Sequence, residues 1–538
     1  MVKREQFRSA ALRAVKNIVS HGDTDIFPYP FESFAFFDKV DQVVDLIVEY
    51  DNNFDSYITR FPPRNINSLA PVAYSGFRWA TQIDPIWNAH FLASVIALSK
   101  KIELARPSPE SNIVFSYRYR PNNKSNDLFD RNYGWVQFME RSSELSNDYE
   151  FVTICDISEF YPRLNHHRLE NSLQHIAGDT KFPSQIIKFL SMHTNTMSFG
   201  LPVGGPAARI LSELTINQID RLLIGARIKF TRFADDYHIF SKNKQDAYKS
   251  LIFLSEKLLE NQGLSLQKSK TRIMSSAEFR ATSPLAQQVE AGSAAELDSV
   301  PAAASQFTRF SLKFDPYSPN AQEDYEKLKE QVSNFNVLGM LKSELSKTRV
   351  HSALAKKLIT AVRFLDKSLI DQAIHSILEN HELLYPVFSS VLIMVKDIYE
   401  DLSIEEQHKV VNFLMNLIES ESHIFRLDIH LSYSIRIIAK LNTEEVSNFL
   451  QKIYTERPAP IVRRDIILAM VRFKQWYWLS DLRNRFRELS SLERRAFVVA
   501  SYMLRDEGRH WRDHIEHELD PFEKFIQNWA SESPSRKG

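Results

Sequence analysis

The chain of 538 residues has one cysteine, Cys155. A lone thiol excludes a disulfide framework and any zinc site built from several cysteines, and a reducing cytoplasm is the simplest setting. Long apolar runs are also missing. The longest, near Phe91–Leu98, is well short of the roughly 18 residues a membrane helix needs, so no membrane association is expected. Net charge is absent too, with 67 basic and 67 acidic side chains. That balance excludes a polybasic nucleic-acid coat but leaves room for an enzyme with a local basic groove. Lys3, Arg4, Glu5, Arg8, Arg13 and Lys16 interrupt any secretory h-region. Phe7, Ala11, Val15 and Ile18 instead recur at helical spacing and predict an ordinary first helix.

What is present is a globular composition, 43% hydrophobic and 25% charged, sufficient for about two to four domains at this length. Glycine is scarce at 13 residues, and six of these fall between 170 and 270. There, helical periodicity mixes with β-branched and aromatic runs, the pattern of an α+β domain. Residues 281–305 turn to small residues and proline and read as a linker or insertion. From about 320 onward the pattern is helix after helix, in a domain taken to run from 306 to 538. VRRDIILAM at 462–470 matches ERRAFVVAS at 493–501, with the Arg pair displaced by 31 residues. Repeats of that length predict paired helices stacked in a HEAT-like array.

Three segments carry chemistry. Phe151–Ile157 is apolar and β-branched, predicting a buried strand that contains Asp156. A carboxylate in such a strand needs a cation or donors. Next, SFGLPVGGPAARILSEL at 198–214 places Gly204 and Gly205 before a proline-initiated helix, a backbone suited to close approach by an anionic ligand. Finally, IKFTRFADDYHIF at 228–240 predicts a β-hairpin with Asp235 and Asp236 at its turn. Side chains alternate along a strand, so adjacent carboxylates share a face only if the turn reorients one; Asp235 is expected as the principal ligand and Asp236 as the auxiliary one. Three converging carboxylates repel one another, and a pair of divalent cations resolves this while serving phosphoryl transfer. Each element has a plainer reading, as satisfied acid or turn chemistry, but the ordered set points to two-metal nucleotidyl transfer.

These segments resemble motifs A, B and C of reverse transcriptases. FADD resembles the aromatic-x-Asp-Asp box, DISEFYP the Asp box of motif A, and GLPVGGPAAR the motif B loop. GLSLQKSKT at 263–271 is similar to the motif D region. The stretches HGDTDIFPYPFE (21–32), RWATQIDPIWNAHFL (78–92), SYRYRP and SLKFDPYSP resemble one subgroup, the abortive-infection reverse transcriptases. That group includes AbiA, AbiK and the enzymes of P2-like prophages; chain length and the direct join to helical repeats are most like the last of these.

The resemblance implies a reverse-transcriptase palm and fingers at 1–280 without a usual thumb, an α+β fold, then the linker, then an all-helical HEAT-like domain at 306–538. It implies two Mg²⁺ ions (or Mn²⁺) held by Asp156, Asp235, Asp236 and the Ile157 carbonyl. It puts Tyr161 at the position that excludes a ribose 2′-hydroxyl, and Lys270 near the leaving pyrophosphate. Arg118 and Arg120 are candidate triphosphate clamps by their chemistry, with a surface ion-pair role as the alternative. Motif B departs from the family, with Val203 where glutamine is usual, and Gln267 replaces the usual asparagine of motif D. The resemblance further implies dNTP substrates, protein-primed synthesis without a template, a single-stranded DNA product covalently attached to the protein, a homo-oligomer, a bacterial cytoplasmic location and defence against phage, with a phage protein as a possible partner. Two rival readings stand beside it: a templated RNA-directed DNA polymerase of retron or intron type, and an oligomeric scaffold with a decayed palm. Between 201 and 280 there are thirteen Lys and Arg against eight Asp and Glu, a modest local excess.

Overall fold

In a computed structural model of the chain, residues 2–24, 26–178, 180–194, 197–282, 307, 312 and 321–532 are described. The expected linker lies, from residue 283 on, outside them, as does SLKFDPYSP apart from Leu312. The chain divides into two compact units. One gathers residues 1–25, 29–65 and 81–290, and the other 26–28, 66–80 and 291–538. The division is therefore not a single cut in the sequence.

The first unit opens with the helix Val2–His21, whose Phe7, Ala11, Val15 and Ile18 are all buried. Its apolar stripe packs on the long helix Pro85–Ala105. The strands, in chain order, are β1 (Ile66–Pro71), β2 (Phe77–Gln82), β3 (Phe151–Asp156), β4 (Lys229–Phe233), β5 (Asp236–Ser241) and β6 (Arg272–Ser275). The last four form an antiparallel sheet in the order β4-β5-β3-β6. Register is set by burial. Val152 pairs with Phe240 on one side and Met274 on the other, and these join Phe115, Phe138 and Phe279 in one apolar cluster. A slip of one residue would turn all three strand residues out of it. Along β3, residues 152, 154 and 156 share a face, so the cluster's face continues to Asp156 at the strand's end.

The helices Pro206–Gly225 and Lys244–Gln262 pack on each other and against the sheet. The second is well punctuated: the Asn243 side chain accepts from the Asp246 N–H, and Gly263 ends it at φ +67°.

Among its described residues the second unit is helical apart from the hairpin β1–β2, of which residues 66–80 belong here. Tyr74 of its turn donates to the Leu383 carbonyl and accepts from the Val350 N–H, and Phe77 lies edge-on to Tyr385. Alternate helices stack in series: Phe388–Ile398 on Asp428–Ile438, then Pro460–Arg472, Ser491–Ala500 and Pro521–Glu532. Arginines on these helices bridge to their neighbours. Arg463 stacks on Tyr454 and Arg494 on Phe486. Arg436 reaches Asp465 and Arg494 reaches Glu523, each pair 29 residues apart and bridging stacked helices. Among the described residues no helix is long and apolar enough to cross a membrane.

Candidate active site

Asp156 closes β3, and Asp236 opens β5 directly across from it. Ala234 and Asp235 form the turn between β4 and β5. Ala234 has φ +53°, a left-handed backbone that costs a non-glycine residue about 1–2 kcal/mol. That turn ties Asp235 to the neighbouring strand, its carbonyl accepting the Ile157 N–H at 3.2 Å. Asp156, Asp235 and Asp236 are thus brought to one end of the sheet. Ile157 is buried immediately beyond Asp156.

The electrostatics are those of acids short of cations. Burial raises the Asp235 carboxyl above its ordinary value, and the charge of Asp156 adds to the effect. Asp236 is pushed up to about 7, first by burial and then by Asp235 and Asp156. Lys270 relieves part of this. Its Nζ donates to Asp156 Oδ1 at 2.8 Å, and that bond raises its own pKa. The motif D segment is fixed to the strand as well, with the Gln267 N–H donating to the Asp156 carbonyl at 2.7 Å.

Tyr161 lies on the one-turn helix Phe160–Arg163, and its carbonyl accepts from the Leu201 N–H at 2.9 Å, joining it to the Gly-Leu-Pro loop. His166 Nε2 lies 2.7 Å from the Gly200 carbonyl in the same junction. Burial holds the Tyr161 hydroxyl well above its usual pKa, reinforced by Tyr117. Gly204 takes φ +119°, which only glycine adopts readily, and Gly205 caps the Pro206–Gly225 helix. Val203 and Gly205 line a small cleft with Asp23, Gln82, Asn88 and Phe91.

Two candidates sit elsewhere. Arg118 is corrected from an open clamp to an internal ion pair. It is 2% exposed, with Nη1 on Glu103 at 2.8 Å and Nε on the Val114 carbonyl. Arg120 is exposed and pairs with Asp130 at 3.1 Å, the surface role that was the alternative for it.

Sequence reasoning missed several residues. Tyr117, with φ +46°, hydrogen-bonds Tyr161, feels the charge of Asp235 and has the Arg209 guanidinium 5.4 Å from its ring centre. The only sequence signal was its place inside SYRYRP. Arg232, Glu213 and Asp220 form a fully buried ion network behind the hairpin. Burial works to raise the Glu213 carboxyl, but Arg232 and Arg106 outweigh it and hold it below its ordinary value.

The donor set suits a hard divalent cation: carboxylate oxygens, largely removed from water, in mutual repulsion. Among the described residues no three acidic, histidine or cysteine side chains close into a ready-made metal cage. Lys270 occupies one Asp156 oxygen and acts there as an internal cation.

Residues 97–340 match the family model described as reverse transcriptase (RNA-dependent DNA polymerase). The match begins in the Pro85–Ala105 helix and takes in Asp156, Asp235, Asp236 and Lys270. This segment therefore matches a reverse-transcriptase domain, and the match supports a polymerase-type nucleotidyltransferase. No curated protein matches the chain. Among solved structures, apo telomerase from Candida tropicalis is similar at 13% identity and a TM-score of 0.28, over 78% of this chain and 71% of that one. Telomerase from Candida albicans, in complex with a TWJ fragment of telomeric RNA, is similar at 11% identity and a TM-score of 0.29, over 79% and 68%.

Proposed function

We propose that the protein is a DNA polymerase of the reverse-transcriptase type that starts on a hydroxyl of its own chain, copies no template, and acts in abortive-infection defence against phage. The observation that carries the polymerase reading is the cross-strand pairing of Asp156 with Asp236, with Asp235 bound through its backbone to Ile157. On this reading Asp156, Asp235, Asp236 and the Ile157 carbonyl hold two Mg²⁺ ions (Mn²⁺ substituting). When bound, the ions supply a lowered pKa for the attacking hydroxyl and charge neutralisation at the triphosphate.

The chain's own residues do the rest. Lys270 releases Asp156 and turns its ammonium to the leaving pyrophosphate. Tyr161, anchored to the motif B loop, fills the space a 2′-hydroxyl needs and so favours dNTPs. Gly204 and Gly205 let the backbone approach the nucleotide closely. The priming group is a Tyr, Ser or Thr hydroxyl on a mobile part of the chain, replaced after the first addition by a DNA 3′-hydroxyl. Val203 supports template independence, because an isopropyl group offers the incoming base pair none of the hydrogen bonds of the usual glutamine. The helical unit, as HEAT-like repeats, serves a homo-oligomer or a phage partner.

The test is purified protein with dNTPs and Mg²⁺ and no added nucleic acid. DNA covalently attached to the protein supports the proposal, and mass spectrometry after nuclease trimming names the primer residue. A templated RNA-directed DNA polymerase is the second reading, favoured by the family model that residues 97–340 match. It predicts incorporation only with primer and template. A decayed scaffold predicts an intact defence phenotype in the Asp235→Ala/Asp236→Ala protein.

A further inference from the structure

The turn that presents Asp235 and Asp236 has an unfavourable backbone at Ala234. Such a conformation persists only where its surroundings enforce it. One side chain reaches it from within the protein. Arg232 is completely buried, and its guanidinium has five N–H groups in a rigid fork. All five are placed. Nε and Nη2 donate to the two oxygens of Asp220 at 2.8 and 2.6 Å. Nη1 and Nη2 donate to the two oxygens of Glu213 at 3.1 and 2.9 Å. The remaining Nη1 donor goes to the Ala234 carbonyl at 2.9 Å.

The acids that orient this fork are themselves held. Both belong to the Pro206–Gly225 helix, which begins at the Gly204–Gly205 loop. Glu213 also accepts from Arg106 Nη2 and Ser116 Oγ, each at 2.6 Å, and Asp220 accepts from the Tyr237 hydroxyl at 3.2 Å. Charge balance inside the network needs only the contacts to Glu213 and Asp220. The bond to Ala234 is surplus to that balance, and it falls on the peptide group immediately before Asp235.

We infer that Arg232 is the positioning residue of the carboxylate turn: it transmits the placement of the Pro206–Gly225 helix to Asp235 and Asp236 through the Ala234 carbonyl. The inference rests on the polymerase reading of that turn. Lysine cannot replace arginine here, because an ammonium has three donors and no planar fork with which to grip two carboxylates and a carbonyl together. The predicted signature is a weakened metal site in a folded protein.

The experiment uses the full chain and Mn²⁺ as the probe, with free Mn²⁺ followed by electron paramagnetic resonance and Mg²⁺ dependence followed by dNTP incorporation. Arg232→Lys is expected to raise half-saturating Mn²⁺ and Mg²⁺ about tenfold or more, the usual effect of removing a supporting residue behind metal ligands. Because that variant leaves two buried acids poorly paired and could fail to fold, Asp220→Asn serves as the second probe. It keeps the shape of the side chain, touches neither Asp235 nor Asp236 in any described bond, and is expected to raise half-saturation in the same direction by a smaller factor. If the folded variants lose thermal stability but bind Mn²⁺ as the parent does, Arg232 is merely structural and the inference is overturned; should only Asp220→Asn fold, its titration decides alone. Asp235→Asn separates the two levels. If it keeps both Mn²⁺ affinity and incorporation, the polymerase reading itself has failed; if it loses them while Arg232→Lys and Asp220→Asn behave as the parent, only the positioning role has.

Discussion

The two units handle acid drawn wholly or partly out of water in opposite ways. In the helical unit Asp465 is 5% exposed and receives a bidentate grip from Arg436, a bond from Arg464 and another from Ser432. Glu523 is held by Arg494 through two bonds. In the first unit Asp235 and Asp236 feel the charge of Asp156, and the nearby ammonium, Lys270, is bonded to Asp156. A paired buried acid is a fastener, since losing one partner strands the other in low dielectric. Clustered acids that repel one another attract positive charge, and their cost of burial is the mark of a site kept for binding rather than for stability.

The sharpest way to test that contrast is to neutralise one acid of each kind. Asp235→Asn is expected to lower nucleotide incorporation about a thousandfold or more, the scale of lost metal stabilisation, with the thermal midpoint held or raised. Asp465→Asn is expected to do the reverse, costing about 3 kcal/mol or more in denaturant unfolding of the helical unit, because the buried Arg464 is left without its counter-charge and the half-buried Arg436 loses its bidentate partner. Equal stability losses in the two variants would break the comparison.

Lys270→Ala sharpens it. Removing the internal cation is expected to tighten Mn²⁺ binding by up to about fivefold, a modest factor because the lysine is largely exposed, while slowing incorporation. Weaker Mn²⁺ binding in that variant would mean Lys270 supports the ions rather than standing in for them. The most gradual effect is acid sensitivity of the helical unit. His430 is fully buried between the Ile424 carbonyl and Ser389, and burial lowers its pKa to about 4. The unfolded chain takes up that proton near pH 6.5 and the folded one does not. Stability from this group is therefore complete above 6.5 and falls as pH drops toward 4, at no more than about 1.4 kcal/mol per pH unit. Hydrogen exchange of the Asp428–Ile438 helix should follow that slope, and His430→Gln should flatten it.

Features written in adjacent residues were legible from the sequence. Strand β3 with Asp156, the Asp-Asp turn and the glycine loop each need only local pattern, and they lie where the pattern put them. The helical periodicity was legible for the same reason. What escaped depends on partners far along the chain. Arg118 looked like a clamp until Glu103, on a preceding helix, was seen to claim it. Arg232 read as one more residue of a β arm, although Glu213 and Asp220 are seven apart and so share a helix face; nothing local says that face is buried. Residues 66–80 read as part of the first domain, whereas Tyr74 bonds to Leu383, 309 residues away. The Ile157 carbonyl as a ligand and the Tyr161 role came from family resemblance and remain for the experiments above.

Cys155 sits in one of the two inner strands of the sheet, wholly enclosed, and burial pushes its thiol up to about 12. Alkylating dyes, which need a thiolate within reach, will pass it by in the folded protein. A cysteine engineered on either unit would then be the single reactive handle. Fluorophores or spin labels could be attached one at a time to follow how the turn and the helical stack move during a turnover, with no background mutation to remove first.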